Sequence, residues 1–354
     1  MPANTLCVRS QSLSDSIGPH QFCGRVHPSR LILGVVAMMV GLLLTHVIEI
    51  VSPVAAAEKA IAFQSVPGHV EIIIGDQPVA TYFYTDKEIT RPYFAHVRAP
   101  NGKQVTRNHP PVAGQDLTDH GTFHPGIWLA FGDISGQDYW RNRAPVRHDR
   151  FVEEPRTEGA LGSFTVSNSY CRSDHPDQVV CRETCRYTIS VEPQGYLIIA
   201  DSLFLSPTEF AFGDQEEMGL GVRLATPITV RSGGEILDAS GRINEKKIWG
   251  KSDPWCDYRG KIDGQQIGIL VMSDQSNFRP TRYHVRDYGL LTANPFGQKS
   301  FGDAEKSRVV VLPNQPFRLR FGILLHSSDA KEIDCQSAYD RFNRRLADTT
   351  RPTP

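Results

Sequence analysis

The sequence predicts an all-β protein, one large antiparallel β-sandwich closed by a short C-terminal helix. Three observations carry that prediction. Apolar and polar residues alternate along several segments, the period of half-buried strands. The 29 glycines and 24 prolines are spread along the chain, which suits many short strands joined by turns. No strand–helix alternation occurs, which argues against a doubly wound α/β fold.

Residues 1–57 stand apart from the rest. Arg25, His27 and Arg30 precede an apolar run, Leu31 to Leu44, and Ala55-Ala56-Ala57 follows it. Basic flank, apolar stretch and small-residue cleavage site are the order of a secretory signal, which predicts a mature chain starting near Glu58 and a periplasmic or extracellular protein. The thirty-residue flank is long, so a single-span membrane anchor is the alternative, although the run is short for a bilayer. No second run of that kind follows, which argues against a multi-span protein. Residues 60–348 show no linker, repeat or low-complexity block and are expected to form one domain.

Within that domain the strands come in order. Val70–Ile74 is β-branched, Gly75-Asp76 marks a turn, and Pro78–Tyr84 continues. Ile127–Phe131, Leu161–Val166, Tyr196–Leu205, Ile267–Met272 and Val309–Leu312 are apolar runs bounded by turn residues. Tyr187, Ile189 and Val191 alternate with Arg186, Thr188 and Ser190, as Phe317, Leu319, Phe321, Ile323 and Leu325 do with their neighbours. Tyr339, Phe342 and Leu346 form the apolar stripe of a terminal helix, with Asp340, Arg341 and Arg344 opposite.

Charge and cysteine usage narrow the function. With 38 basic and 39 acidic residues the formal net charge is -1, and no basic stripe supports a nucleic-acid partner. Two of the seven cysteines, Cys7 and Cys23, precede the apolar run, which leaves five. A hairpin centred on Pro176 would oppose Cys171 and Cys181 at disulfide distance. Cys181 and Cys185 share a face but lie about 13 Å apart along an extended strand. A zinc site from Cys171, His175, Cys181 and Cys185 is the rival, though it lacks paired C-x-x-C knuckles.

Two polar clusters carry the chemistry. Asp119 to Trp128 places His120 and His124 on a Gly/Pro-broken loop entering a strand, where imidazoles can move protons, hold a metal or make structural hydrogen bonds. Asn277 to Gly289 holds Asn277, Arg279, Arg282, His284, Arg286 and Asp287, too polar for a plain strand, and Asn294 follows in a turn. Between them, alternation sets Glu217 on one face with Gly219, Gly221 and Arg223. Glu217 is then either an acid–base carboxylate or a structural partner of Arg223, and the two glycines leave room for a ligand. Tyr139-Trp140 adds aromatic surface suited to a sugar ring, or to a core.

At these residues the chain resembles a soluble family labelled "methane oxygenase PmoA", also called domain of unknown function 6807. The resemblance covers roughly residues 65–330. It rests on Arg91-Pro92-Tyr93, Asp119-His120 with His124, Gly136 to Trp140, Glu217 with Gly221 and Arg223, His284 to Gly289, and Ala293 to Gly297. Thr122-Phe123-His124-Pro125 departs from the family's His-His-Arg run, so His120 carries over more directly than His124. A single apolar run is at odds with the oxygenase label, whose membrane namesake needs several spanning helices. The family is similar in fold to the β-supersandwich of galactose mutarotases, which implies a carbohydrate ligand but assigns no chemistry.

Together these readings predict an enzyme that hydrolyses, eliminates or epimerises a small sugar without a cofactor. His120 or His284 would transfer the proton and Glu217 would complement it, with Arg223, Arg286, Asn277, Asn294, His124, Asp287 and Trp140 binding substrate in one pocket. Two alternatives differ in kind. A non-catalytic sugar-binding module would expose Trp128, Trp140 and Trp255, and a metal enzyme would ligate its ion through His120, His124 and His284.

Overall fold

A computed structural model describes residues 60–302, 305–328 and 333–349. The N-terminal apolar run and the cleavage site expected after it lie outside these residues. Along the chain come β1 (Ile61–Val66), β2 (His69–Ile74), β3 (Gln77–Phe83), β4 (Tyr93–Ala95), β5 (Ile127–Phe131) and β6 (Val146–Glu158). Next are β7 (Leu161–Cys171), β8 (Val179–Glu192), β9 (Gly195–Leu205), β10 (Phe210–Phe212), β11 (Met218–Arg223) and β12 (Glu235–Asp238). A short helix, α1 (Asn244–Ile248), leads to β13 (Trp255–Ile262), β14 (Gln265–Ser273), β15 (Arg282–Arg286) and β16 (Leu290–Asn294). Last come β17 (Val309–Val311), β18 (Phe317–Ser328) and α2 (Cys335–Thr349). No helix among the described residues is long and apolar enough to cross a membrane.

Two eight-stranded antiparallel sheets face one another. The first runs β1-β2-β3-β4-β5-β11-β16-β15, the second β12-β13-β14-β18-β9-β8-β7-β6, and β10 pairs with β17 as a separate ribbon. The period-two pattern is the reason they stack. Val70, Ile72, Tyr82, Phe94, Ile127, Leu129, Leu220, Val222 and Val285 of the first sheet meet Phe164, Val166, Ile189, Ile198, Ile269, Leu319, Phe321 and Ile323 of the second in one core. Strands β7, β8 and β18 extend past the segments that alternation marks, β9 begins one residue before its apolar run, and β6 was not marked at all.

Helix α2 covers the outer face of the second sheet. Ala338, Tyr339, Phe342 and Leu346 pack on Leu197, Ile199, Leu270, Met272 and Leu324. Gly322 permits the close approach, since a Cβ there would lie 2.8 Å from Phe342 Cδ2. Arg345 Nε fixes the far end on Glu192 Oε1 at 2.6 Å. Burying Phe342 contributes about 1.5–3 kcal/mol. The short helix α1 was not foreseen. It has no apolar stripe of its own and is held by Asp287, which accepts from the Glu245 amide at 3.0 Å.

The expected disulfide is absent. Cys171, Cys181, Cys185, Cys256 and Cys335 are all free and buried. The hairpin does form, but a bulge after Tyr170 sets Tyr170 opposite Cys181 and Cys171 opposite Val179, so the two sulfurs are not direct cross-strand partners. Nor do the zinc candidates assemble. No group of three or more His, Cys, Asp or Glu that could hold a metal occurs among the described residues.

Candidate functional site

The outer face of the first sheet carries most of the foreseen site residues. Strand register puts His69, Phe83 and Tyr93 in one cross-strand row, and Trp128, Gly221, Thr292 and His284 continue it. Over that row lies the loop from Asp119 to His124. Three arginines, each almost wholly buried, organise the loop from beneath. Arg107 donates to the carbonyls of Leu117, Asp119, His120 and His124, at 2.7 to 3.4 Å. Arg91 donates to the carbonyls of Phe123, Tyr139 and Trp140. Arg223 reaches Asp119 Oδ1 at 2.7 Å and lies under the ring of Tyr288, 4.5 Å from its centroid. Burial drives Arg91 and Arg107 down to about 9 and about 10.

Asp119 joins these cations to His120. Its Oδ2 lies 2.9 Å from His120 Nδ1. Burial alone would raise its pKa, but Arg223, the His120 hydrogen bond and Arg107 outweigh burial and hold the carboxyl below the usual range. His120 is half exposed and sits in the left-handed region at φ 50°, a conformation that costs an ordinary residue about 1–2 kcal/mol. The compensation is local, because its carbonyl accepts the amides of Phe123 and His124.

His124 is a packing residue. It is buried, stacks on Trp128 at 5.0 Å and 12°, and accepts from Trp140 Nε1 at 3.2 Å. Burial first, then the surrounding arginines and His120, push its pKa well below the ordinary value, so it stays neutral. Trp140, Trp128 and Trp255 are buried too, which removes the exposed platforms that a sugar-binding module would need. The room expected at Gly221 is filled by the first two. A Cβ there would stand 2.5 Å from Trp128 and 2.8 Å from Trp140.

Beside Tyr288 opens a polar depression of about 480 Å³, lined by Arg141, Glu216, Glu217, His284 and Arg286 among others. Here the structure corrects the sequence reading. Glu217 does not pair with Arg223. It precedes β11 in a bend and takes its ion pair from Arg141, which also holds Asp138 at 3.1 Å. The carboxylate that meets a histidine is its neighbour, Glu216, whose Oε2 lies 3.1 Å from His284 Nδ1 and 3.2 Å from Arg286 Nη2. The nearby His284 ring outweighs burial and lowers the Glu216 pKa. Burial of His284 outweighs the contact with Glu216 and lowers its pKa, so a neutral imidazole faces an ionised carboxylate. With Nδ1 turned to Glu216, Nε2 has no partner among the described residues and is the atom able to exchange a proton.

The remaining candidates divide. Arg286 lines the depression and bridges Glu216 and Glu245. Asn294 supports it from behind, donating to the carbonyls of Gln215 and Glu216 and accepting two amides, so its hydrogen bonds are spent on holding Glu216 in place. Asp287 caps α1. Asn277 lies elsewhere, bonded to Ser273 and to the backbone of Arg320 beside the Tyr339 end of α2. His120 and His284 share the sheet face but do not line the same depression; Tyr288, Arg223 and Asp119 lie between them. His120, His124 and His284 do not come together as a ligand set.

The sequence profile of a family described as "Family of unknown function (DUF6807)" matches residues 69–340. The chain belongs to that family. No curated protein matches it significantly. Among solved structures it is similar to the α-galactosidase from Lactobacillus brevis, at 9% identity and TM-score 0.37 over 77% of this chain, which spans 40% of that one. An aldose epimerase homologue from C. elegans aligns at 10% identity and TM-score 0.32, over 75% of this chain and 99% of that chain. A heparan sulfate lyase from Pedobacter heparinus aligns at 8% and TM-score 0.30, over 74% and 34% respectively.

Proposed function

We propose that this DUF6807 protein is an exported enzyme that carries out acid–base chemistry on a sugar in the Glu216–His284 depression. The observation that carries the reading is the His284 Nδ1 to Glu216 Oε2 contact of 3.1 Å, on the wall of the depression that both residues line. A neutral imidazole set against a carboxylate is the usual form of a side-chain general base. Glu217, anchored by Arg141, supplies a second carboxylate on the same rim, so a proton removed on one side of a substrate can be returned from another group. Arg141, Arg286 and Tyr288 offer the hydrogen bonds and aromatic edge that a polyhydroxylated ring needs, and the volume suits a small ligand. Hydrolysis, elimination and epimerisation all use such a pair.

A panel of glycosides, uronides and keto-sugars incubated with the chain from residue 58 tests the idea, by product analysis and by exchange of deuterium from solvent into the sugar. Turnover or exchange that vanishes in His284→Ala supports it. Turnover that survives that change removes His284 from the chemistry.

A further inference from the structure

A second depression, of about 530 Å³, lies on the same sheet face beyond the Asp119–His124 loop. Phe83 and His69, from the row that ends at His284, line it, and so do Gly121 and Thr122 of the loop itself. The loop is therefore a ridge with one depression on either side. Five strand spacings separate Phe83 from His284, about 24 Å.

The two depressions differ in chemistry. In the second, the ionisable groups deepest in the wall are committed. Asp86 Oδ1 accepts the amides of Glu88 and Ile89, and Oδ2 accepts Tyr93 Oη at 2.9 Å. Tyr93 Oη in turn lies 3.1 Å from His109 Nε2. Asp86 and Tyr93 are thus tied to each other and to the backbone. What faces the space is the partly exposed Phe83, stacked against Tyr93 at 5.1 Å and 17°, under the exposed side chains of Thr85, Lys87 and Glu88. An apolar floor with hydrogen-bonding groups at its rim can grip a sugar unit.

We infer that this depression is a distal subsite for the same ligand, so that the substrate is an oligosaccharide laid across the ridge, with one unit reacting beside His284 and a further unit held above Phe83. The inference rests on the proposed function and specifies its substrate class: no single sugar ring spans the interval.

The test is affinity against ligand length. The purified chain from residue 58 is titrated with linear neutral-hexose, pentose and uronic-acid oligomers of one to six units. Affinity should rise with length and then level off once both depressions are bridged. Lys87→Ala/Glu88→Ala should return the longest binding oligomer about tenfold toward the affinity of the monomer, the worth of one or two hydrogen bonds, and leave the monomer unchanged. Thr85→Trp, which fills the depression from an exposed position, should do the same. Affinity that is flat with length, with turnover still lost in His284→Ala, overturns the subsite and leaves the proposed function standing. Binding by none of the three series overturns both.

Discussion

Replacing Glu216 with glutamine keeps the shape of the side chain and removes the charge that faces His284. Stability should change by no more than about 1 kcal/mol, because Glu216 is 37% exposed and Arg286 keeps Glu245 at 3.0 Å. The rate should fall by about 10²–10⁴, the range for losing a positioned acid–base partner. The pH profile carries a separate signature. His284 must be neutral to accept a proton, so the acid limb of kcat/KM follows its pKa in the free protein. Burial already depresses that pKa, and the neighbouring Glu216 charge partly restores it. Removing the charge lowers it further, so the acid limb moves to lower pH. Glu217→Gln should leave the limb in place, since Glu217 faces Arg141, and should also leave the melting temperature nearly unchanged, since Arg141 keeps Asp138. A Glu216→Gln protein with normal rate and an unmoved limb, beside an inactive Glu217→Gln protein, would show that the working carboxylate had been misassigned.

Three further outcomes are expected. His109 (held at about 4), His124 and His284 all have pKa values lowered by burial, so the unfolded chain takes up protons first as pH falls below about 6.5; the melting temperature should drop from pH 7 toward 5. Glu183 and Asp253, raised by burial, act with the opposite sign but are two groups against four, since burial lowers His148 as well, so a flat or rising melting temperature on acidification would contradict the burial of the imidazoles. Gly221→Ala should destabilise by about 1–3 kcal/mol in a denaturant titration, because its methyl meets both tryptophans, and an unchanged midpoint would mean that they can move aside. In the chain from residue 58, a thiol reagent should leave all five cysteines unmodified in the folded state and label all five in denaturant, without reductant; three labelled thiols would reveal a disulfide instead.

Much of the fold was legible because its signal is local. Ile127–Phe131 is a strand with the bounds its apolar run suggests, and Tyr339, Phe342 and Leu346 form the buried stripe of α2. The site was legible only as a set of motifs. Alternation assigned Glu217 to the face of Arg223, but the strand begins at Met218, and period-two reasoning has no force in the bend before it. The true partner of Arg223 is Asp119, 104 positions away, a pairing that no spacing rule contains. Arg91 stood inside a quoted motif and Arg107 did not. Neither could be recognised as a loop support, because a charged residue reads as exposed until its carbonyl acceptors are in place. Asn277 shared a polar segment with His284, yet the chain turns between them and sends it to another face.

The arginine supports also set a timetable. The Asp119–His124 loop is shaped by side chains from residues 91, 107 and 223, and its floor by Trp128 and Trp140 under β11. During synthesis, the loop and its first two arginines emerge long before Arg223. A nascent chain that stops short of β11 therefore has the His120 motif and Arg107, but lacks the Arg223 contact to Asp119. An N-terminal fragment ending before β11 therefore carries the His120 motif and two of its three arginine supports, but not Arg223 or the Glu216–His284 depression.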